Sequence, residues 1–170
     1  LSDARPRVEH AGVPTAAGIV RMARLGVIAV NQPSYLFDYG DEYAESLGRL
    51  ADEIQPWRDE LQAGVRVVIS SDSDVSSYRP LTTIANAMRR RTMGGRVLGE
   101  RHRLTIDEAL FAHTSDAAYA VGKEDRIGSL APGKAADLTW LSDDLRTVSA
   151  EDVAAIEVVN TYLDGAAWVG

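Results

Sequence analysis

The chain has 170 residues, 45% of them hydrophobic, with 14 glycines and 6 prolines, which suits a globular domain with a sizeable core and not a disordered chain. It has no cysteine, so disulfides and thiolate metal sites are excluded, and any metal must be held by His, Asp, Glu or a lysine-derived oxygen. The 18 basic against 25 acidic residues give a net charge of −7, which argues against nucleic acid or anionic membrane as partners and for small molecules or proteins.

Arg5 to His10 is a strand candidate that ends in the polar pair Glu9-His10. Thr15 then precedes the periodic apolar set Ile19, Met22, Ala23 and Leu25, an N-cap and a helix that Gly26 closes. Val27 to Val30 is a second strand, apolar on both faces as in a covered parallel sheet, and it ends on Asn31, Gln32 and Pro33. The aromatic and acidic segment 33–43 is expected to be irregular, either a lid or binding loop or a partly buried surface loop. Leu47, Leu50, Ile54, Trp57 and Leu61 predict helix over 44–63, interrupted at Pro56. Val65 to Ile69 is a third strand, followed by Ser70, Ser71, Asp72, Ser73 and Asp74.

Helices are expected over Leu81–Met93 and Thr105–Tyr119, the second with a Thr105/Glu108 capping box and with Leu110, Phe111 and Ala117 turned inward. Between them, Arg89, Arg90, Arg91, Arg96, Arg101 and Arg103 read as a solvated face, because no aromatic residues interleave to stack bases. Strands are predicted over 136–141, 158–163 and 166–169, with Asp164-Gly165 as a hairpin turn.

The alternation of strand and helix over the first 70 residues is that of parallel βα units. It places His10, Asn31/Gln32 and Asp72 at strand carboxyl ends, where α/β folds carry their chemistry. Taken singly, each has a plainer reading: a strand-end aspartate also serves as a cap or turn residue, and a lone histidine is more often core or surface than ligand. Tyr35, Phe37, Tyr39 and Tyr43 read equally as a substrate wall or as cover for a rim. His102 and His113 are expected to be structural or solvated.

Residues 7–11 (RVEHA), 30–33 (VNQP), 70–72 (SSD), 104–110 (LTIDEAL), 128–138 (GSLAPGKAADL) and the closing VVNTYLDG occur in that order. Together they resemble the C-terminal part of a metal-dependent amidohydrolase, of the subgroup called amidohydrolase family 3, whose members include N-substituted formamide deformylases. The resemblance implies an α/β fold: the last three βα units of a TIM-type (β/α)8 barrel over 1–122 and the C-terminal part of a small β-sandwich over 123–170. It implies a divalent metal, Zn²⁺ by preference, held in part by His10 and Asp72, with Asp72 also accepting the proton of the attacking water, and Gln32, Tyr35 and Phe37 facing a small amide-type substrate. Ser70 stands where the family usually has glycine, and Asp74 where it often has proline. The family's His-x-His and its other ligands would lie upstream of Leu1. A barrel takes eight strands and roughly 250 residues, so this chain, which also lacks an initiator methionine, is expected to be an inactive fragment of the hydrolase.

Two other readings use the same alternation. One is a non-catalytic α/β module that binds a partner or forms a homo-oligomer through exposed strand edges. The other, a flavodoxin-like binder of a phosphorylated ligand, lacks a glycine loop after any strand. No signal segment or membrane span is expected, and the localisation that follows is cytoplasmic.

Overall fold

The computed structural model describes residues 4–168. Two three-stranded sheets organise the chain. In the first, β1 (Arg7–Glu9), β2 (Ile28–Asn31) and β3 (Val67–Ile69) are parallel and lie side by side in sequence order. In the second, β4 (Leu138–Leu141), β5 (Val158–Leu163) and β6 (Ala166–Ala167) are antiparallel. Asp164 and Gly165, at φ 51° and 80°, make the tight turn between β5 and β6, the left-handed pair that such a two-residue connection requires. Val169, the last residue of the expected final strand, lies outside the described residues.

The helix signals act where the side chains can reach the backbone. Thr15 caps α1 (Ala16–Leu25) by accepting from the Gly18 N–H, and Gly26 ends it in the left-handed region. Thr105 and Glu108 form a reciprocal capping box on α5 (Ile106–His113). The helical run does not continue to Tyr119 unbroken: Thr114, at φ −122° and ψ −83°, separates α5 from α6 (Ser115–Ala120).

Three expectations are corrected. The segment after Pro33 is not a loop but α2 (Ser34–Leu47). Leu36, Gly40 and Ala44, four residues apart, form its buried face, and Tyr35, Tyr39 and Tyr43 share an adjacent one. Phe111 does not face inward; it is 59% exposed, and Ala109 and Ala112 take the buried face of α5 because their small side chains let it pack closely. The arginine-rich stretch is not uniformly solvated either. Arg90 is 0% exposed, because its left-handed conformation (φ 48°) after α4 (Pro80–Arg89) turns the side chain into the core.

Packing assigns the two faces of the parallel sheet. Ala29 packs with Ile19 of α1, while Val67 and Ile69, on the same face by register, pack with Leu36, Trp57 and Ile84 from the helices around β3. Both crossovers therefore cover one face. On the opposite face Ile28, Val30 and Val68 meet Ala117, Tyr119 and Ala120 of α6. The helix α3 (Trp57–Gln62) brings in the fully buried Trp57.

Near the amino ends of β1 and β3, Arg5 and Arg66 hold their guanidinium groups 4.0 and 3.9 Å from the Tyr119 ring centre, so that α6 is clamped from both sides. Arg5 also donates to Glu124 and to the Tyr119 carbonyl, and its contact holds the Glu124 carboxyl down at about 2.

Candidate active site

The carboxyl ends of the three parallel strands converge. His10 directly follows β1, Gln32 directly follows β2, and Asp72 lies three residues beyond β3. His10 and Asp72 both have positive φ, 55° and 50°, a region that costs non-glycine residues energy and concentrates at functional positions. With these turns the two side chains reach across the end of β2, and His10 Nε2 lies 3.7 Å from Asp72 Oδ2. They are 53% and 36% exposed, so both remain open to a ligand.

Tyr35, one residue into α2, completes the group. Its hydroxyl donates to Asp72 Oδ2, and its ring stacks on His10 with centroids 5.9 Å apart and planes 19° apart. The Tyr39 ring meets Tyr35 edge-on at 5.6 Å. Burial first, and then the Asp72 carboxylate, pushes the Tyr35 phenol up to about 12, so it stays a proton donor at neutral pH. Among the described residues Asp72 Oδ1 accepts no hydrogen bond, which leaves that oxygen available.

Gln32 is buried, and its Nε2 donates to Ser70 Oγ at 3.0 Å. Gln55 Nε2 in turn donates to the Gln32 carbonyl at 2.9 Å. Phe37 is not drawn into this group: two residues beyond Tyr35 on a helix, it points roughly 200° away. His113 lies behind β3 with Nδ1 3.3 Å from the Ile69 carbonyl, and burial lowers its pKa. His102 is fully buried and is therefore not solvated.

A second buried polar pair at the end of β2 has no signature in the sequence. Asn31 Nδ2 donates to Glu60 Oε2 at 3.2 Å, while Asn31 Oδ1 and Glu60 Oε1 have no partner among the described residues. Burial raises the Glu60 carboxyl to about 7, against the lowering effect of the Asn31 contact. A carboxyl raised on folding contributes full stability below its unfolded value of about 4.5 and loses it as pH rises through about 7. Glu60→Gln is thus expected to flatten the pH dependence: relative to the parent it should gain about 3 kcal/mol between pH 4.5 and pH 8, read from denaturant midpoints at the two pH values. Parallel curves would show that Glu60 ionises as freely in the folded state as in the unfolded one.

A metal fits the His10–Asp72 pair in part. Bonds of about 2.1 Å at a tetrahedral angle set neighbouring donors roughly 3.4 Å apart, a few tenths less than the 3.7 Å between these two atoms. Two donors fall short of the three protein ligands that a catalytic zinc takes. Among the described residues the one group of three clustered ligand-bearing side chains lies elsewhere, at Glu53, Asp59 and His102.

A parallel sheet with an imidazole, an amide and a carboxylate at its carboxyl edge defines a class, the α/β proteins whose chemistry sits beyond the strand ends. Comparison with known proteins narrows it. The amidohydrolase family profile matches residues 1–168. The chain is 34% identical over 161 residues to an N-substituted formamide deformylase of Arthrobacter pascens, covering 94% of this chain and 30% of that protein. It is 34% identical over 133 residues to an imidazolonepropionase of Streptococcus sanguinis, covering 78% of this chain and 27% of that one. Among solved structures, a metal-dependent hydrolase from Pyrococcus horikoshii superposes with a TM-score of 0.74 at 26% identity, over 85% of this chain and 30% of that structure. The chain belongs to the amidohydrolase family. It spans under a third of the length of each of these relatives.

Proposed function

We propose that this chain is the C-terminal part of a metal-dependent hydrolase that cleaves non-peptide C–N bonds of amide-type small molecules. In this reading residues 1–122 form the last three βα units of a (β/α)8 barrel, and residues 123–170 contribute part of a small β-sandwich. The strand order β1-β2-β3, with both crossovers on one face, supports a barrel wall over a doubly wound sheet, whose strand order reverses at a switch point. Relatives named as a formamide deformylase and an imidazolonepropionase support the bond class.

The observation that carries the proposal is the approach of His10 and Asp72 across the end of β2. His10 Nε2 and an Asp72 oxygen would hold a divalent cation, Zn²⁺ for this donor pair. Such a cation, when bound, lowers the pKa of a coordinated water to about 7 and polarises a carbonyl. Asp72 takes the proton of the attacking water on its free oxygen and hands it to the departing amine, base first and then acid. Tyr35 positions Asp72 by fixing its other oxygen, and Gln32, held by Ser70 and Gln55, shapes the floor beside it. Two protein donors bind zinc weakly, so the activity belongs to the whole protein and not to this stretch.

The test uses the full-length protein that contains this sequence. Hydrolysis of N-substituted formamides or cyclic amides should fall to background after dialysis against a chelator and return with added Zn²⁺. Turnover that survives chelation, with no metal left in the sample, would refute the reading.

A further inference from the structure

Away from the strand ends, three ligand-bearing side chains meet on the outer helical layer. Glu53 ends the 3-10 turn Gly48–Glu53, Asp59 lies in the first turn of α3, and His102 ends the turn Glu100–His102. One donor atom from each lies within 4.8 Å of the others. His102 is 0% exposed, neither of its ring nitrogens has a hydrogen-bond partner among the described residues, and Nε2 points at Glu53 Oε2 from 3.6 Å. Buried polar atoms are nearly always paired, so an imidazole with both nitrogens idle calls for an explanation.

Its surroundings supply one. Burial, together with Arg90 and Arg101, lowers the His102 pKa, so the ring is neutral and offers a lone pair. The two carboxylates already attract a cation: Arg101 donates to Asp59 Oδ1 at 2.7 Å and to Glu53 Oε2 at 2.6 Å. Arg101 is more than half exposed and can swing into solvent without cost to the core.

We propose that Glu53, Asp59 and His102 form a divalent-cation site, suited to Zn²⁺ by its one imidazole and two carboxylates, in which the Arg101 guanidinium competes for the same oxygens. No two of the donors are more than 4.8 Å apart, and His102 Nε2 and Glu53 Oε2 are already at 3.6 Å, so side-chain rotation alone brings the set toward the roughly 3.4 Å spacing of a tetrahedral ion. The ligands come from three separate segments, so a bound ion would tie the turn after α2 and the start of α3 to the turn at 100–102. Its role is a structural clip, with stabilisation that grows with free metal. His10 and Asp72 take no part in it.

The experiment is Zn²⁺ binding by equilibrium dialysis to the full, chelator-stripped chain carrying His10→Asn and Asp72→Asn, so that the strand-end pair is removed. One equivalent of Zn²⁺ should respond to changes in this cluster: Glu53→Gln weakens it at least tenfold, and Arg101→Met tightens it threefold or more. Both residues are solvent-accessible, and thermal melting without metal checks that each variant folds. Zn²⁺ binding that is unchanged by either substitution would overturn the proposal.

Discussion

Arg90→Met should cost about 3–5 kcal/mol of stability, read as a lower denaturant midpoint at an unchanged slope. Arg90 is fully buried, and its partners are not acids but backbone carbonyls: Nε donates to Leu98 at 2.7 Å, Nη1 to Gln55 at 2.9 Å and Nη2 to Ile54 at 2.6 Å. The guanidinium also lies 4.7 Å from the Trp57 ring centre. Burial lowers its pKa to about 9, which still leaves it charged at neutral pH. A buried ion pair can often be exchanged for apolar groups without loss, because both charges go together. That exchange fails here, because methionine removes the donors and leaves three carbonyls in place. Each orphaned carbonyl costs about 1–3 kcal/mol, more together than the desolvation recovered. Arg90→Lys keeps the charge but cannot span two chain segments with one ammonium group, so most of the loss should remain. The neighbouring Gly99, at φ 58°, leaves room for this arrangement: a Cβ there would lie 2.1 Å from the Asp52 carbonyl and 3.0 Å from Arg90 Nη2. A variant within 1 kcal/mol of the parent would mean that water replaces the lost donors.

Arg90 also marks where sequence reasoning ends. Thr15, Gly26, the Thr105/Glu108 box and the Asp164-Gly165 turn were legible because each acts within four residues, and local chemistry decides the outcome. Arg90 sits in the run Arg89-Arg90-Arg91, where nothing local separates the buried member from its neighbours. Its burial depends on carbonyls about 35 residues away. The helix α2 was concealed by its composition: the four-residue spacing of Leu36, Gly40 and Ala44 is helical, but Gly40 and the acidic residues around it read as loop. In the candidate site, the strand-end positions of His10, Gln32 and Asp72 followed from alternation alone. The Tyr35 hydroxyl on Asp72, 37 residues apart, could follow only once α2 was known to start at Ser34. The idle nitrogens of His102 and the Asn31–Glu60 pair leave no trace in a sequence, since both arise from packing between elements.

If Asp72 carries the proposed proton transfer, Asp72→Asn in the full-length protein should lower kcat by about 10² to 10⁴, the range that a positioned acid or base supplies. Asparagine matches the shape of the side chain and can still accept from Tyr35, so the fold and the His10 contact are expected to persist. What it loses is the capacity to take a proton on the free oxygen and deliver it to an amine. Tyr35→Phe separates that role from mere placement. It leaves the carboxylate intact and removes only the donor that fixes Oδ2, so kcat should fall about tenfold, the equivalent of one lost hydrogen bond to a charged group, with KM little changed. Burial and the Asp72 carboxylate push the Tyr35 phenol up to about 12, so its ionisation should not shape the activity profile below pH 10 in the parent, and removing the hydroxyl should leave the alkaline limb where it was. The ordering is the decisive result. If Tyr35→Phe proved as damaging as Asp72→Asn, the tyrosine would be the proton carrier and Asp72 its support. If Asp72→Asn left turnover intact while metal was retained, proton transfer would have to come from another group, and Asp72 would keep only a ligand's part.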